Sequence, residues 1–191
     1  MLLVDTGRIE VLTLSRDHMD VLRRWLNDPR VLDFYEGRDR PHSERMIEEV
    51  FFGADVDGRT RCIVHYDGKP IGYLQFYPLP TDEGIAFGFA ADDQIYGLDQ
   101  FIGEPDLWGR GIGTDLVAAV ADYLERDLGA KRLIMDPHVE NPRAVRCYEK
   151  CGFRKVRLLP AHELHEGAMR DCWLMERAAG DLSGKTPEPA D

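Results

Sequence analysis

The sequence predicts an α/β (α+β) domain, a mixed and mostly antiparallel sheet flanked by helices, and three observations carry that prediction. Residues 60–66 and 71–77 read as two strands joined by Asp67-Gly68-Lys69-Pro70; Asp-Gly suits turns that need positive φ, so the two form an antiparallel hairpin. Ile112, Leu116, Val120 and Leu124 recur at a four-residue step with Val117 beside them, which gives an amphipathic helix over 111–127. The strands on either side of that helix, 96–103 and 132–135, are separated by a crossover and therefore pair in parallel.

Taken in order, Ile9, Val11 and Thr13 alternate with Glu10, Leu12 and Leu14 in a first strand. Ser15 caps a helix over 16–27, with Met19, Leu22, Trp25 and Leu26 at helical spacing and Asp28-Pro29 as its stop. Phe34 and Tyr35 follow in a polar, charged loop, and Ser43 opens a second helix whose buried side carries Met46, Ile47, Val50 and Phe51. After the hairpin, a loop rich in Pro and acid over 78–84 leads to a third strand at 85–90 and then to Asp92-Asp93. Beyond the parallel pair, Asn141 caps a helix with Pro142 at its first position. Ala144, Val145 and Tyr148 lie along one side of it, and Gly152 ends it before a strand begins at Phe153. Val156, Leu158 and Leu159 give another strand, 160–167 a loop, and 169–176 a last strand. One domain therefore spans 1–179, and the tail 180–191, with Pro187, Pro189 and little that is apolar, is expected to be disordered.

Composition bounds the function. With 191 residues and 43% hydrophobic content the chain can build one core. No run of eighteen apolar residues and no signal-peptide pattern is present, so a cytoplasmic protein with no membrane partner is expected. Thirty-five acidic against 24 basic residues leave a net charge of −11, which argues against nucleic acid and fits a cationic ligand; it also fits a surface that is simply well solvated. Cys62, Cys147, Cys151 and Cys172 show no Cys-x-x-Cys spacing and no His partners at ligand spacing, so free thiols and no metal are expected.

The stretch Trp108-Gly109-Arg110-Gly111-Ile112-Gly113-Thr114 opens the helix over 111–127. Its glycines permit a tight turn and a close approach, and the helix start offers free N–H groups and the positive end of a dipole, so an anion such as a phosphate fits there. The spacing is neither that of a dinucleotide fingerprint nor that of a Walker loop. Alone it reads equally as a turn packing on a neighbour.

Two motifs in order are more specific than one. Asn141-Pro142-Arg143-Ala144-Val145-Arg146-Cys147-Tyr148 with Gly152-Phe153 resembles the Asn-x-x-Ala-x-x-x-Tyr…Gly-Phe segment of the GNAT acetyltransferases, and Arg110 to Gly113 resembles their pyrophosphate loop. Trp25-Leu26-Asn27-Asp28-Pro29, Phe34-Tyr35, Gly68 to Gln75, Gly97-Leu98-Asp99-Gln100, Asp136-Pro137 and Arg146 to Lys150 look like the aminoglycoside 6'-N-acetyltransferases, over roughly residues 8 to 177. One departure stands out: the position three before Gly111 carries Gln or Arg in the superfamily and Trp108 here, which bears on side-chain contacts to the pyrophosphate and leaves the backbone contacts as they are.

The resemblance implies a GNAT fold, in which the central parallel pair splays apart and coenzyme A inserts its pantetheine arm in the gap. It implies acetyl coenzyme A as cosubstrate, no metal, an aminoglycoside as acceptor, direct attack in a ternary complex, antibiotic resistance as outcome, and a monomer or weak homodimer. Coenzyme A would then meet Phe101 and Ile102 on the central strand, Trp108, Gly109, Arg110, Gly111, Ile112, Gly113 and Thr114 in the loop, and Asn141, Ala144 and Tyr148 on the following helix. The backbone N–H groups around Phe101 and Ile102 would serve the thioester carbonyl, and Tyr148 would donate to the coenzyme sulfur. Asp99 would orient and deprotonate the amine, the alternative being a structural carboxylate. With reference pKa values of about 4 and about 10, direct transfer to it is uphill by roughly 8 kcal/mol, so desolvation or a water relay is needed.

The acceptor site implied comprises Phe34, Tyr35, Tyr77, Asp92, Asp93, Asp99, Gln100, Asp136 and Glu166, with Glu163 as the other candidate in its loop. Phe34 and Tyr35 read equally as a hydrophobic plug, Asp92 and Asp93 as a solvated turn, and Asp136 as a turn carboxylate. The rival acceptor is a hydroxylamine or lysine-derived amine of siderophore synthesis, which shares the opening motif and the Gly-rich loop but needs fewer carboxylates.

Overall fold

The computed structural model describes residues 1–53 and 58–180. In chain order the strands are β1 (Leu2–Asp5), β2 (Ile9–Thr13), β3 (Thr60–Tyr66), β4 (Lys69–Pro78), β5 (Ile95–Ile102), β6 (Arg132–Met135), β7 (Arg154–His165) and β8 (Ala168–Ala178). The helices are α1 (Met19–Trp25), α2 (Pro29–Leu32), α3 (Glu44–Phe51), α4 (Thr81–Ala86), α5 (Ile112–Asp127) and α6 (Pro142–Lys150). The strands form one sheet in the order β1-β2-β3-β4-β5-β6-β8-β7, antiparallel throughout except for the parallel pair β5 and β6.

That pair sets up the site. β5 and β6 share only the register Ile95↔Arg132, Tyr96↔Leu133 and Gly97↔Ile134, whereas β5 stays paired with β4 through to Gly72↔Ile102. Residues 98–102 thus have a strand on one side and a gap on the other. Leu79 N–H donates to Ile95 O and Gly103 N–H to Ile71 O, so the odd-numbered residues of β5 turn their backbone groups to β4. Lys131 N–H donates to Gln94 O, and by the alternation of a strand the even-numbered residues, Gln100 and Ile102 among them, face the gap.

Each face of the sheet is covered by an apolar helical stripe. Leu116, Val117, Val120 and Leu124 of α5 and Val145 and Tyr148 of α6 pack with Val11, Leu74 and Leu98. On the other face Leu22 and Trp25 of α1 and Ile47 and Phe51 of α3 pack with Ile63, Tyr73 and Phe101. Burying each such side chain stabilises the fold by about 1.5–3 kcal/mol. Ser43 Oγ accepts from Met46 N–H at 3.2 Å and Asn141 Oδ1 from Ala144 N–H at 3.1 Å, so these two expected caps are made, whereas Ser15 precedes only the 3-10 turn Arg16–His18 and makes no side-chain cap hydrogen bond.

The strand expected at 85–90 is absent; Thr81–Ala86 is the helix α4. Ile85, Phe87 and Phe89 alternate as a strand would, but β4 already has β3 and β5 on its two sides, so no edge is open to a further strand there. Phe87 and Phe89 pack instead on Ile95, Ile134 and Leu174. The loop expected at 160–167 is the end of β7 and the turn at Glu166-Gly167. Pro160 is tolerated because β7 is an edge strand, and a bulge between Leu159 and Glu163 absorbs the irregularity. β1 was not expected, Val50 is 41% exposed rather than buried, and the helix over 16–27 divides into a 3-10 turn at Arg16–His18 and α1. Of the tail 180–191, residues 181–191 lie outside the described residues.

Candidate active site

A cleft of about 330 Å³ lies between the free side of β5, the 3-10 turn Pro105–Leu107, the start of α5 and α6. Gly111, at φ +85°, is the residue before α5, and Thr114 and Asp115 N–H both donate to its carbonyl. The N–H groups before Thr114 have no carbonyl within their own helix, so they and the dipole end face the cleft, where an anion is stabilised. Trp108 Nε1 donates to Ile102 O at 2.8 Å, and its ring meets Phe34 edge-on at 6.0 Å. The Arg143 guanidinium lies over both rings, 4.1 Å from Trp108 and 4.6 Å from Phe34. An arginine from α6 therefore stands against the loop tryptophan at the edge of the cleft.

A smaller cavity of about 250 Å³ adjoins the cleft, and Phe34, Gln100, Pro137 and Tyr148 line both. Its walls carry four carboxylates, Glu36, Asp99, Asp136 and Glu163, with Arg59 among them. The register Gln75↔Asp99 puts those side chains next to each other across β4 and β5. Tyr73 OH donates to Gln75 Oε1 at 2.8 Å, and Gln75 Nε2 donates to Asp99 Oδ2 at 2.6 Å. Burial pushes the Asp99 carboxyl up to about 6, the Gln75 hydrogen bond opposes that, and the nearby Asp136 charge adds to it. Tyr148 is buried with its hydroxyl 3.5 Å from Gln100 Nε2, and burial holds the phenol above its usual pKa, so it is a proton donor at neutral pH.

Residues 15–160 match the family model described as an acetyltransferase (GNAT) domain. The chain belongs to the GNAT acetyltransferases. It is 30% identical over 148 residues to the aminoglycoside N(6')-acetyltransferase type 1 of Klebsiella pneumoniae, a match covering 75% of this chain and 73% of the relative. It is 39% identical over 64 residues to a kanamycin resistance protein of Rhizobium radiobacter, covering 34% of this chain and 59% of that one. The solved structure of AAC(6')-Ib in complex with ribostamycin and coenzyme A superposes with a TM-score of 0.74 at 23% identity, covering 96% of this chain and 100% of that one. The eight-stranded sheet with one short parallel pair is accordingly the GNAT fold.

Within this GNAT chain the residues expected around the cosubstrate separate into three groups. Trp108, Gly109, Gly111, Gly113, Thr114, Asn141, Ala144 and Tyr148 line the cleft. Ile112 buries its side chain in the core, and Arg110 is exposed outside the cleft lining. Phe101 and Ile102 both line the cleft, but Phe101 turns its N–H toward β4; the gap-facing donors are Gln100 and Ile102, which corrects the expectation placed on Phe101.

The carboxylates expected together do not all meet. Asp99, Gln100 and Asp136 line the smaller cavity with Phe34 and Tyr35. Tyr77 packs against Gly97, where a Cβ would come within 2.6 Å of its ring, and takes Arg59 over its face at 4.8 Å. Asp93 is bound to Arg132 Nε at 2.9 Å at the far end of β5, and Asp92 is exposed on the same turn, so neither joins Asp99. Glu166 also stands outside the cavity lining. It holds Arg38 Nη2 at 2.6 Å and Arg38 N–H at 3.0 Å, tying the loop after α2 to the β7–β8 turn, and the Arg38 guanidinium keeps its carboxyl down at about 2. Glu163, not Glu166, reaches the cavity. Arg59, Glu36 and Gln75 were not foreseen, although a lone polar Gln75 inside the apolar run of β4 was a visible signal.

Proposed function

We propose that the protein transfers an acetyl group from acetyl coenzyme A to the 6'-amine of an aminoglycoside, by direct attack in a ternary complex, and that this transfer confers resistance. The observation that carries the reading is the junction of the two cavities: a carboxylate-lined chamber holding Asp99 opens at Gln100 and Tyr148 onto a cleft with an anion-binding helix start. A polycationic acceptor fits the first and a phosphate-bearing cosubstrate the second. The curated relative at 30% identity carries that activity in its name, which supports both the acceptor class and the amine position.

In this reading Asp99 and Asp136 hold separate ammonium groups, and Asp99 orients the amine that reacts. With Asp99 at about 6 rather than 3.8, the gap to an alkyl ammonium near about 10 falls to roughly 4 units, or about 5 kcal/mol, within reach of a desolvated site or a water relay. The gap-facing N–H of Gln100 or Ile102 stabilises charge developing on the thioester oxygen, and Tyr148 supplies a proton to the departing sulfur. Mapping the product by NMR tests the position: kanamycin should be acetylated at the 6'-nitrogen. Acetylation at another amine would overturn the position, and transfer to hydroxylamine acceptors alone would overturn the acceptor class.

A further inference from the structure

His138, Glu163 and Cys172 come from three separate segments, at spacings that no ligand motif announces. The chain after β6 pairs with β8 through a His138–Cys172 bridge, framed by Val139 N–H donating to Asp171 O and Trp173 N–H to Pro137 O, each at 2.9 Å. Backbone pairing thus fixes both side-chain origins. β7 brings Glu163 into register with Arg170 of β8. As a result His138 Nε2 lies 2.8 Å from Glu163 Oε2, Cys172 Sγ lies 4.0 Å from the same oxygen, and the three donor atoms lie within 4.8 Å of one another. Cys172 is fully buried, the His138 side chain is 13% exposed, and Glu163 is half exposed at the edge of the smaller cavity.

We propose that His138 Nε2, the Glu163 carboxylate and Cys172 Sγ form a three-ligand site for a thiophilic divalent cation of the zinc class, with its fourth position open. A tetrahedral ion with bonds of about 2.0–2.3 Å holds its ligands roughly 3.3–3.8 Å apart. The separations here run from 2.8 Å to at most 4.8 Å and bracket that range, so closing the set takes a rotation of the His138 ring toward Cys172 together with one of the half-exposed Glu163. One nitrogen, one oxygen and one sulfur select zinc or cobalt over magnesium or calcium, which take oxygen ligands. Binding releases the Cys172 thiol proton to solvent and leaves the His138 ring neutral with its remaining proton on Nδ1. Glu163 also lines the cavity assigned to the acceptor, so the bound cation removes one carboxylate from that wall and adds positive charge. Weaker binding of a cationic acceptor follows, a consequence that rests on the proposed function while the site itself does not.

The test is a titration of the full chain, dialysed against chelator, with Co²⁺ followed by absorption. One equivalent with a thiolate-to-cobalt charge-transfer band is expected, the band lost in Cys172→Ser and affinity lowered at least ten-fold in His138→Gln and Glu163→Gln. A band that survives Cys172→Ser, or that disappears in Cys147→Ser instead, or no band at a one-to-one ratio, would overturn the site. Should Cys172→Ser not fold, His138→Gln and Glu163→Gln decide: unchanged cobalt affinity in both overturns it. Repeating the titration with kanamycin present separates the two ideas. A lowered cobalt affinity joins the site to the acceptor cavity, and an unchanged one overturns that link while the band still stands.

Discussion

Gln75 Nε2 donates to Asp99 Oδ2 at 2.6 Å across directly opposed positions of β4 and β5, and Gln75 is itself oriented by Tyr73 OH. The amide can only present its N–H₂ to the carboxylate, because its oxygen is already taken. That bond favours the ionised form of Asp99 and acts against the burial that raises its pKa. Gln75→Leu removes it at little cost in volume. The acid limb of the kcat/KM profile should move to higher pH by about a unit; an unmoved limb would show that Gln75 does not set the protonation of Asp99.

Asp99 itself trades stability for activity. Its folded pKa of about 6 exceeds the ordinary 3.8, so the folded state binds the proton more tightly, and ionising Asp99 destabilises the fold as pH rises through about 4 to 6. Above that window the cost approaches about 3 kcal/mol. Asp99→Asn should lower kcat by about 10²-fold or more, leave affinity for coenzyme A unchanged, and raise the urea midpoint at pH 7 but not at pH 3.5. An equal shift at both values would mean that the charge is not the cause.

Tyr148→Phe keeps the ring that packs on Phe153 at 6.1 Å and removes only the hydroxyl. Transfer should slow by about 10- to 100-fold with acceptor KM within about two-fold. A wild-type rate would leave Tyr148 as packing alone.

The two loop glycines make different demands. Gly111 has φ +85° with nothing within 4 Å of a built Cβ, so Gly111→Val fails on backbone conformation rather than on space. Gly113 has no positive φ, and its Cβ would meet only Cys147 Sγ at 3.7 Å. KM for acetyl coenzyme A should rise by about ten-fold or more for Gly111→Val and only a few-fold for Gly113→Val. Equal effects would place the constraint in the space above the loop.

Local signals were the legible ones. The stripe of α5, the caps at Ser43 and Asn141 and the Asp67-Gly68 turn depend on residues within a few positions of one another, and each formed where the spacing put it. Partners contributed by distant segments were not legible. Asp93 and Glu166 are acids near the expected site, but their fates were decided by Arg132 and Arg38, 39 and 128 positions away in the chain. Glu163 and His138 meet only through the β7–β8–β6 register, and the alternating Ile85, Phe87 and Phe89 look like a strand until the sheet order shows no edge to receive one.

Thiol release from acetyl coenzyme A in the presence of kanamycin, compared with an aminoglycoside bearing a hydroxyl in place of the 6'-amine, decides whether the proposed transfer takes place and at which nitrogen. Saturable turnover is expected with the first and none above background with the second. Equal turnover with both, or none with either while hydroxylamine or lysine-derived acceptors are acetylated, would contradict that transfer.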